Sequence, residues 1–421
     1  MARNRVIYQS QSVYCSQSAY NEDQTTSGDV LDLSRVQSCN YSFNVARQDV
    51  NQFGELASID RIITESPTVS FDTSYYLANF FNENRLGFYV TPSGGSVFKS
   101  AITNIIDSTS FSNQKNYYIL TTKEGKDSVD DFTSGDYESI IGVGNGFMTS
   151  YSSEGAVGGL PTVSIGVEGQ NMNFVNVPYL AGAEAGDPTP GYKTGEANNS
   201  YEALTFISGE SPAIDPTNGE KLNQFVTIPI AKSDPSGEGA ATISSLRPGD
   251  ITFTLAEKTD NAIGTAAVPG DALPTDYAGM NIADAHIQSY TLGFDLSRTP
   301  IQKLGSKFAF ARVVDFPVSV SLSVDAVLAD LTTGSLADII DCDKEYDARV
   351  SIKEPTCGNT HVAAVICNYI VKGLKLDSES FSSSIGDNKS VSLGFSCQIG
   401  GPTQSGVGLF MSGQRAVNPN P

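Results

Sequence analysis

The alternation of apolar and polar residues along this chain is typical of β-strands. In residues 41–45 and 292–296 every second side chain is apolar, and residues 318–324 read Val-Ser-Val-Ser-Leu-Ser-Val. Successive side chains of a strand point to opposite faces of its sheet, so these stretches predict sheets with one face on a core and the other in water. The sequence therefore predicts a mainly β protein.

The pattern of residues 37–71 returns in residues 288–322 at a constant spacing of 251 residues. Eight of the 35 aligned positions are identical. They are Gln37/Gln288, Ser38/Ser289, Phe43/Phe294, Arg47/Arg298, Gly54/Gly305, Arg61/Arg312, Val69/Val320 and Ser70/Ser321. Internal repeats of this kind indicate a duplicated structural unit.

A second pair of segments supports the duplication. Residues 163–167, Val-Ser-Ile-Gly-Val, match residues 391–395, Val-Ser-Leu-Gly-Phe, at a spacing of 228 residues. Because both pairs occur in the same order, we predict two diverged copies of one domain. The shared Gly54 and Gly305 are expected to adopt a backbone angle that a side chain would disfavour.

Each copy is expected to carry one flanking helix. Phe98, Ile102, Ile105 and Ile106 have helical spacing and form an apolar stripe that can cover a sheet. In the second copy, residues 326–331 and 335–340 occupy the corresponding stretch with a weaker pattern.

Between the copies the composition changes. Residues 170–285 hold 10 of the 19 prolines and 15 acidic against 5 basic residues. Strand-like patterns resume at residues 225–230 and 251–255, and are expected to open the second copy as residues 5–8 open the first. We therefore predict a first domain at 1–169, an acidic Pro/Gly-rich linker or insertion at 170–224, a second domain at 225–400 and a C-terminal arm at 401–421. The expected fold is two tandem β-sandwich or barrel domains with flanking helices.

Charge argues against a nucleic-acid-binding groove. The net charge is −21, and an acidic surface repels phosphates. No apolar segment resembles a secretory signal or a membrane helix, so we expect cytoplasmic synthesis and no membrane binding. The six cysteines form no C-x-x-C pair and are expected to be reduced core residues.

The sequence offers no strong motif for catalysis. Its two histidines are His286 and His361, and a zinc pair of Cys357 with His361 would need two further ligands. The acidic runs at 130–138 and 341–347 do not fit the calcium-loop pattern, and residues 142–146 lack a phosphate-loop lysine. We expect no enzyme activity, cofactor or metal. The repeated arginines 47/298 and 61/312 fit either a salt bridge across a subunit contact or a pair within the fold.

Residues 41–57, 59–63 and 380–395 resemble the tail tube proteins of tailed bacteriophages. The resemblance covers about a tenth of the chain. It implies a domain that is a β-sandwich with one helix. Six such domains would close a ring whose inner strands form a continuous barrel. Members with two tube domains in one chain form trimeric rings, and the 251-residue repeat is similar to theirs.

The resemblance also implies partners and contact residues. The chain would associate with itself, with other tail proteins such as the tape measure and terminator, and with genomic DNA passing without specific binding. Loops at 48–58 and 299–309 would reach the neighbouring ring through Asn51, Gln52, Phe53, Gly54, Gln302, Lys303, Leu304 and Gly305. The protein would be part of the virion tail, assembled in the host cytoplasm. We expect a lumen rich in Asp, Glu, Ser, Thr and Asn, supplied by residues 40–49, 64–73 and their counterparts, with the acidic segment outside.

Two other functions remain open at this point. One is a different non-catalytic virion or surface β-protein, such as a baseplate, adhesin or layer subunit. The other is an enzyme, such as a polysaccharide hydrolase with paired carboxylates. A sugar-binding groove is usually lined by aromatic residues, but the chain has no Trp and its Tyr and Phe are scattered.

Overall fold

The structure of the protein is a computed structural model. The structure describes residues 10–16, 30–64, 68–77, 79–92, 99–106, 115–126, 128, 137–169, 171–176, 200–204, 225–229, 251–257, 285–301, 304, 311–328, 344–353, 365–382, 390–401, 404 and 406–413.

The described residues are mainly β. The strands are β1 (Gln11–Ser16), β2 (Val30–Asp32), β3 (Val36–Asn44), β4 (Arg47–Val50), β5 (Asp60–Ile63), β6 (Thr68–Tyr76), β7 (Val90–Pro92), β8 (Lys115–Thr122), β9 (Tyr137–Ala156), β10 (Thr162–Gly169), β11 (Asn171–Asn176), β12 (Ser200–Leu204), β13 (Phe225–Pro229), β14 (Ile251–Glu257), β15 (Ala285–Asp295), β16 (Arg298–Ile301), β17 (Ala311–Val314), β18 (Ser319–Leu328), β19 (Tyr346–Lys353), β20 (Val365–Ser382), β21 (Ser390–Gln398) and β22 (Gly408–Gly413). The two helices are α1 (Phe81–Arg85) and α2 (Thr103–Ile106).

Eight strands form one continuous antiparallel arrangement, which we call the long sheet. Its order is β3-β6-β10-β9-β15-β18-β21-β20. A back sheet covers each half: β2-β1-β8-β9-β11 covers the first, and β14-β19-β20-β22 with β7 covers the second. We call the strands β1–β11 the first unit and β14–β22 the second unit.

The core lies between the long sheet and the back sheets. Apolar residues of the long sheet alternate with polar ones, as in β18, where residues 320, 322 and 324 are buried and 319, 321 and 323 are exposed. In the first unit Phe71 of β6 meets Tyr117 of β8 with ring centroids 5.0 Å apart. Burial of one face by period-two alternation therefore fixes each strand's register.

The two units share their strand pairing residue for residue. Ser38 pairs with Ser74 and Phe43 with Val69 in the first unit. The positions 251 residues later pair in the same way, Ser289 with Asp325 and Phe294 with Val320. The bulges also coincide, since the shift at Val36/Ser38 recurs at Ile287/Ser289.

The pairing of the longest strands repeats at the 228-residue spacing. In β9 and β10, Gly166 pairs with Ser150, and the register then shifts so that Val167 pairs with Met148. In β20 and β21, Gly394 pairs with Ser378 and Phe395 with Leu376. The two units therefore have the same topology and the same irregularities.

Several expected boundaries and elements differ in the structure. Residues 171–176 form β11 of the first unit, beyond the expected boundary at 169, because they pair with β9. Residues 200–204 and 225–229 pair with each other, so 225–229 does not open the second unit; β14 pairs with β19 as β1 pairs with β8.

Residues 408–413 are the buried strand β22 rather than part of an extended arm. Of the expected helix at 98–106, residues Thr103–Ile106 form α2 and residues 99–102 are not helical, while Phe98 lies outside the described residues. Residues 326–328 belong to strand β18 instead of a helix, since they pair with β15 and β21. The rest of that expected helix, residues 329–340, lies outside the described residues, as does the expected first strand at 5–8.

Candidate assembly interface

The two units meet edge to edge through β9 and β15. The strands are antiparallel over seven residue pairs, from Ser289 with Ala156 to Asp295 with Ser150. On the core side Tyr151 and Phe294 stack with ring centroids 5.6 Å apart, and both are nearly inaccessible to solvent. We call this contact the internal joint.

A segment of the first unit, residues 79–92, crosses behind the internal joint, and we call it the strap. Its Phe88 ring lies 4.8 Å from Tyr151 of β9 and 6.1 Å from Phe294 of β15. Its Phe80 ring lies 4.7 Å from Tyr369 of the second unit. The strap ends in β7, which pairs in parallel with β22 of the second unit.

Polar contacts hold the start of the strap on the first unit. Asn82 exchanges two hydrogen bonds with the backbone of Ser34, at 2.8 and 2.9 Å. Arg85 forms a buried salt bridge with Asp32, 2.7 Å from Nη1 to Oδ1. With one end fixed on the first unit and the other paired with the second, the strap ties the units together.

A buried carboxyl group lies under the strap. Glu83 Oε1 accepts hydrogen bonds from the hydroxyls of Tyr75 at 2.9 Å and Tyr151 at 3.2 Å, and the Tyr151 hydroxyl is 2.7 Å from that of Tyr369. Burial raises the pKa of Glu83 to about 7, although these hydrogen bonds and the charge of Arg35 oppose the shift. The cluster joins β6, β9 and β20, so it spans both units.

Two hairpins project from the same end of the long sheet. The first arm is residues 47–63, with strands β4 and β5, and the second arm is residues 298–314, with β16 and β17. Arg47 pairs with Ile63 in the first arm, and Arg298 pairs with Val314 in the second. The arms therefore occupy equivalent positions in the two units.

The second arm is fixed to the first unit by its two arginines. The guanidinium of Arg312 forms a salt bridge with Glu168 and lies 5.8 Å from the centre of the Phe147 ring. The guanidinium of Arg298 lies 4.8 Å from the same ring and donates a 3.0 Å hydrogen bond to the Ile105 carbonyl. Burial and the neighbouring Arg312 lower the pKa of Arg298 to about 10.

The first arm is exposed to solvent. Its Arg61 pairs with Asp49 across the hairpin at 3.1 Å, with both side chains more than half exposed. The tip residues Phe53 and Leu56 are fully exposed. Arg61 and Arg312 occupy equivalent positions in the two arms. Arg61 thus pairs within its own hairpin, whereas Arg312 makes a contact between the two units.

The long sheet ends at β3 on one side and β20 on the other. Among the described strands, β3 pairs with β6, and residues 375–382 of β20 pair with β21, so each of these segments has one outer edge. At these edges Tyr41 is 40% exposed, Phe43 49% and Phe381 49%. Apolar side chains on the core side of an edge strand mark a surface for another strand.

The face of the long sheet away from the back sheets is polar. Serine is its most frequent residue, as in residues 319, 321 and 323 of β18 and 378, 380 and 382 of β20. Its carboxylates are Asp72, Glu154, Glu168, Asp295 and Asp325, which directly oppose other polar-face residues across the ladders. The basic residues described at this face are Lys375 of β20 and the second-arm residues Arg298 and Arg312, which lie against Phe147 and Glu168, so acidic residues outnumber basic ones here.

The predicted loop contacts fall in the arms. Asn51, Gln52, Phe53 and Gly54 lie in the exposed tip of the first arm. The expectation for Gly54 is confirmed, because its φ of 92° is in the left-handed region. Leu304 is fully exposed, and Gln302, Lys303 and Gly305 lie outside the described residues.

The four cysteines in the described residues are free thiols. Cys15, Cys367 and Cys397 are buried and Cys39 is partly buried. Burial raises the pKa of Cys39 to about 12.

Sequence reasoning did not identify the strap or its buried cluster. The cluster consists of Glu83, Tyr75, Tyr151 and Tyr369. Its hydrogen-bonded partners lie up to 218 residues apart in the sequence. No local spacing links them. The available signal was a difference in length between the copies. In the first copy 38 residues lie between the end of β6 and the start of β8. In the second copy only 18 residues lie between the matching positions, Val327 and Tyr346.

Within the described residues, no group of three or more His, Cys, Asp or Glu side chains could hold a metal ion. The part of the chain that the structure describes has no helix with the length and apolarity of a membrane span.

No protein family matches the sequence, and no curated protein matches it. Among solved structures, the chain is similar to one in the tail of an empty GTA particle with C6 symmetry. The identity is 15%, the alignment covers 37% of this chain and 96% of that chain, and the TM-score is 0.22. It is also similar to a chain in the six-fold symmetrised baseplate of the anti-feeding prophage (AFP), at 7% identity over 31% of this chain and 80% of that chain, with a TM-score of 0.21. Likeness at this level identifies no family for the chain.

Proposed function

We propose that this protein is a structural, non-catalytic subunit that closes edge to edge into a ring, and that the rings stack into the tube of a bacteriophage tail. The observation that carries the proposal is the relation between the internal joint and the outer edges. The strand β3 is the first-unit counterpart of β15, and β20 is the second-unit counterpart of β9. Each chain therefore presents the two halves of a joint that it already contains.

The internal joint gives the register of the contact between chains. In it, Leu292 pairs with Ser153 and Gly293 with Ser152. At the spacings of 251 and 228 residues, these pairs become Tyr41 with Phe381 and Ser42 with Ser380. The β3 strand of one chain would then extend the long sheet of the next by antiparallel pairing.

Burial differs at the equivalent positions in the way this contact requires. Leu292 and Phe294 are at most 4% exposed, whereas Tyr41 and Phe43 are 40% and 49% exposed. Covering an aromatic side chain of this size stabilises a contact by about 2 kcal/mol. Pairing of β3 with β20 would bury Tyr41 against Phe381 as an aromatic cross-strand pair.

A head-to-tail contact between unlike edges either closes into a ring or continues as an open filament. The resemblance to two-domain tail tube proteins supports closure by three chains. In such a ring the back sheets occupy the outside, and the polar, acidic face lines the lumen. Short hydroxyl side chains and carboxylates offer little attraction to phosphates, so genomic DNA would pass without specific binding.

The same proposal includes the chain's surroundings. The protein would belong to the virion tail, assemble in the host cytoplasm and contact other tail proteins such as the tape measure and terminator. It would need no cofactor and would not bind membranes. The tip of the first arm, residues 51–54, would contact the neighbouring ring.

A register-specific cross-link tests the proposal. The variant with Ser42→Cys and Ser380→Cys places two thiols at directly opposed positions, within the Cα separation that a disulfide tolerates. Mild oxidation should link chains covalently and give a ladder that ends at a closed trimer on non-reducing gels. Negative-stain images of the same material should show hollow cylinders.

The matched control keeps Ser42→Cys and moves the second thiol to Ser378→Cys, two residues out of register. Diagonal positions are about 7–8 Å apart, too far for efficient linkage. Equal cross-linking of both variants, or chains that stay monomeric at high concentration, would contradict the proposal.

A further inference from the structure

The two arms share one topology but differ in their attachment. In the second arm Arg298 and Arg312 lie on Phe147, and Arg312 is also paired with Glu168. The side chains of Phe147 and Arg312 are less than 9% exposed. A buried guanidinium held by a ring and a carboxylate fixes a hairpin against its neighbour.

The first arm has no equivalent seat in the next chain. The positions that correspond to Phe147 and Glu168 at the 228-residue spacing are Lys375 and Ser396. Neither offers an aromatic face or a carboxylate, and Lys375 would repel an arginine. Arg61 is instead paired with Asp49 of its own hairpin.

Freed from such attachment, the first arm presents an apolar surface. Phe53 and Leu56 are fully exposed, and Ile59, Ile62 and Ile63 are 45–49% exposed. Five apolar side chains on one hairpin form a surface that favours contact with another apolar surface.

A second exposed apolar site lies at the other end of the same strands. The turn between β9 and β10 exposes Val157 by 64% and Leu160 by 40%. The arm leaves the long sheet where β6 begins, at Thr68, and the turn lies where β6 ends, at Tyr76. The arm and the turn are thus separated along the strand direction by about 27 Å, the length of a nine-residue strand.

We propose that the first arm docks through Phe53 and Leu56 on the Val157–Leu160 turn of a second copy stacked along the strand direction, while the second arm serves as a latch for the internal joint. Copies stacked head to tail bring the arm end of one against the turn end of the next without any rearrangement. The docking half of this inference rests on the proposed function, and the latch does not. The duplicated hairpins would then have divided two tasks between them.

The latch is tested in dilute, unassembled chain by amide hydrogen exchange. Residues 311–314 of the second arm should exchange at least about tenfold more slowly than residues 60–63 of the first arm, because the latch raises the free energy of opening. Arg312→Ala should remove the difference, and the matched Arg61→Ala should leave it unchanged. Equal exchange in the two arms of the unsubstituted chain would overturn the latch, whether or not rings form.

Docking is tested by replacing Phe53 with the photo-crosslinker benzoylphenylalanine. In assembled material, irradiation should link position 53 to a peptide that contains Val157 and Leu160. The same probe in place of Leu304 should give little of that product. Cross-links to any other surface, or an equal yield from position 304, would overturn the docking assignment.

Substitutions separate docking from ring formation. Leu56→Ser should raise the concentration needed for stacking by about tenfold, as expected for one lost apolar side chain, while rings of unchanged mass still form. Leu304→Ser is the matched control and should have little effect. Loss of rings would instead point to a failure of the edge-to-edge assembly, and unchanged stacking with Leu56→Ser would exclude the docking role.

Discussion

Phe43 and Phe294 occupy the same place in two copies of one strand, yet Phe43 is 49% exposed and Phe294 4% exposed. Their partners across the strand pair are also equivalent, Val69 and Val320. The difference arises on the other side, where β15 has β9 as a neighbour and β3 has none among the described strands. A duplicated chain thus contains its own reference state, in which a buried copy shows what the exposed copy lacks.

The largest effect is expected when each of these two phenylalanines is replaced by aspartate. Phe294→Asp should unfold the second unit or cost at least about 4 kcal/mol, since it removes a core ring and buries a carboxylate. Phe43→Asp should change the free energy of unfolding of the isolated chain by less than about 1 kcal/mol.

Phe43→Asp should nevertheless abolish self-association, which light scattering measures over a range of concentrations. Chemical denaturation followed by circular dichroism gives the free energies for both variants. Similar destabilisation by the two substitutions would show that β3 is not a free edge.

The next effect concerns pH and the cluster beneath the strap. The pKa of Glu83 rises from 4.5 in its ordinary state to about 7 in the fold. The folded chain therefore binds more protons than the unfolded chain between these values, and stability falls as pH rises from about 4.5 to 7. The contribution is about 3 kcal/mol, fully present below pH 4.5 and lost above pH 7.

Glu83→Gln removes the titrating group and keeps a side chain that can accept from Tyr75 and Tyr151. The free energy of unfolding of this variant should not show the fall between about pH 4.5 and 7 that Glu83 causes. The pH dependence due to other titrating groups should be the same in both proteins. Denaturant titrations at several pH values compare the two proteins. An unchanged slope in the variant would show that Glu83 does not titrate in this range.

The smallest effect sharpens the comparison of the arms. Arg312→Ala removes a buried guanidinium from Glu168 and Phe147 and should cost about 2 kcal/mol, less than a fully buried pair because Glu168 is partly exposed. Arg61→Ala removes an exposed pair and should cost at most about 0.5 kcal/mol. Thermal unfolding of both variants gives the comparison, and an equal loss would mean that the two arms are held alike.

Period-two alternation made the mainly β fold predictable, and the 251-residue spacing located strands that pair in matching register. Those signals are local or repetitive, so a single sequence contains them. The strap could not be predicted, because its two phenylalanines and Glu83 find partners on strands of both units. The attachment of the arms was equally hidden: Arg61 and Arg312 are identical in sequence, and only the residues they meet differ.

Expectations failed where local pattern competed with sheet pairing. Residues 326–328 have apolar spacing compatible with a helix but extend β18, because β15 and β21 flank them and supply backbone partners. The C-terminal arm predicted at 401–421 contains the short apolar run 408–413, and this run completes the second back sheet. In both cases nonlocal hydrogen bonding decided the outcome.

The strand β9 belongs to two layers, and this has a mechanical consequence. Residues 137–146 pair with β8 and β11 in the back sheet, and residues 147–156 pair with β10 and β15 in the long sheet. Sliding one layer over the other would require β9 to stretch or its ladders to break along about 65 Å of backbone. Shear between the layers is therefore resisted by covalent bonds, and β20 gives the second unit the same stiffness.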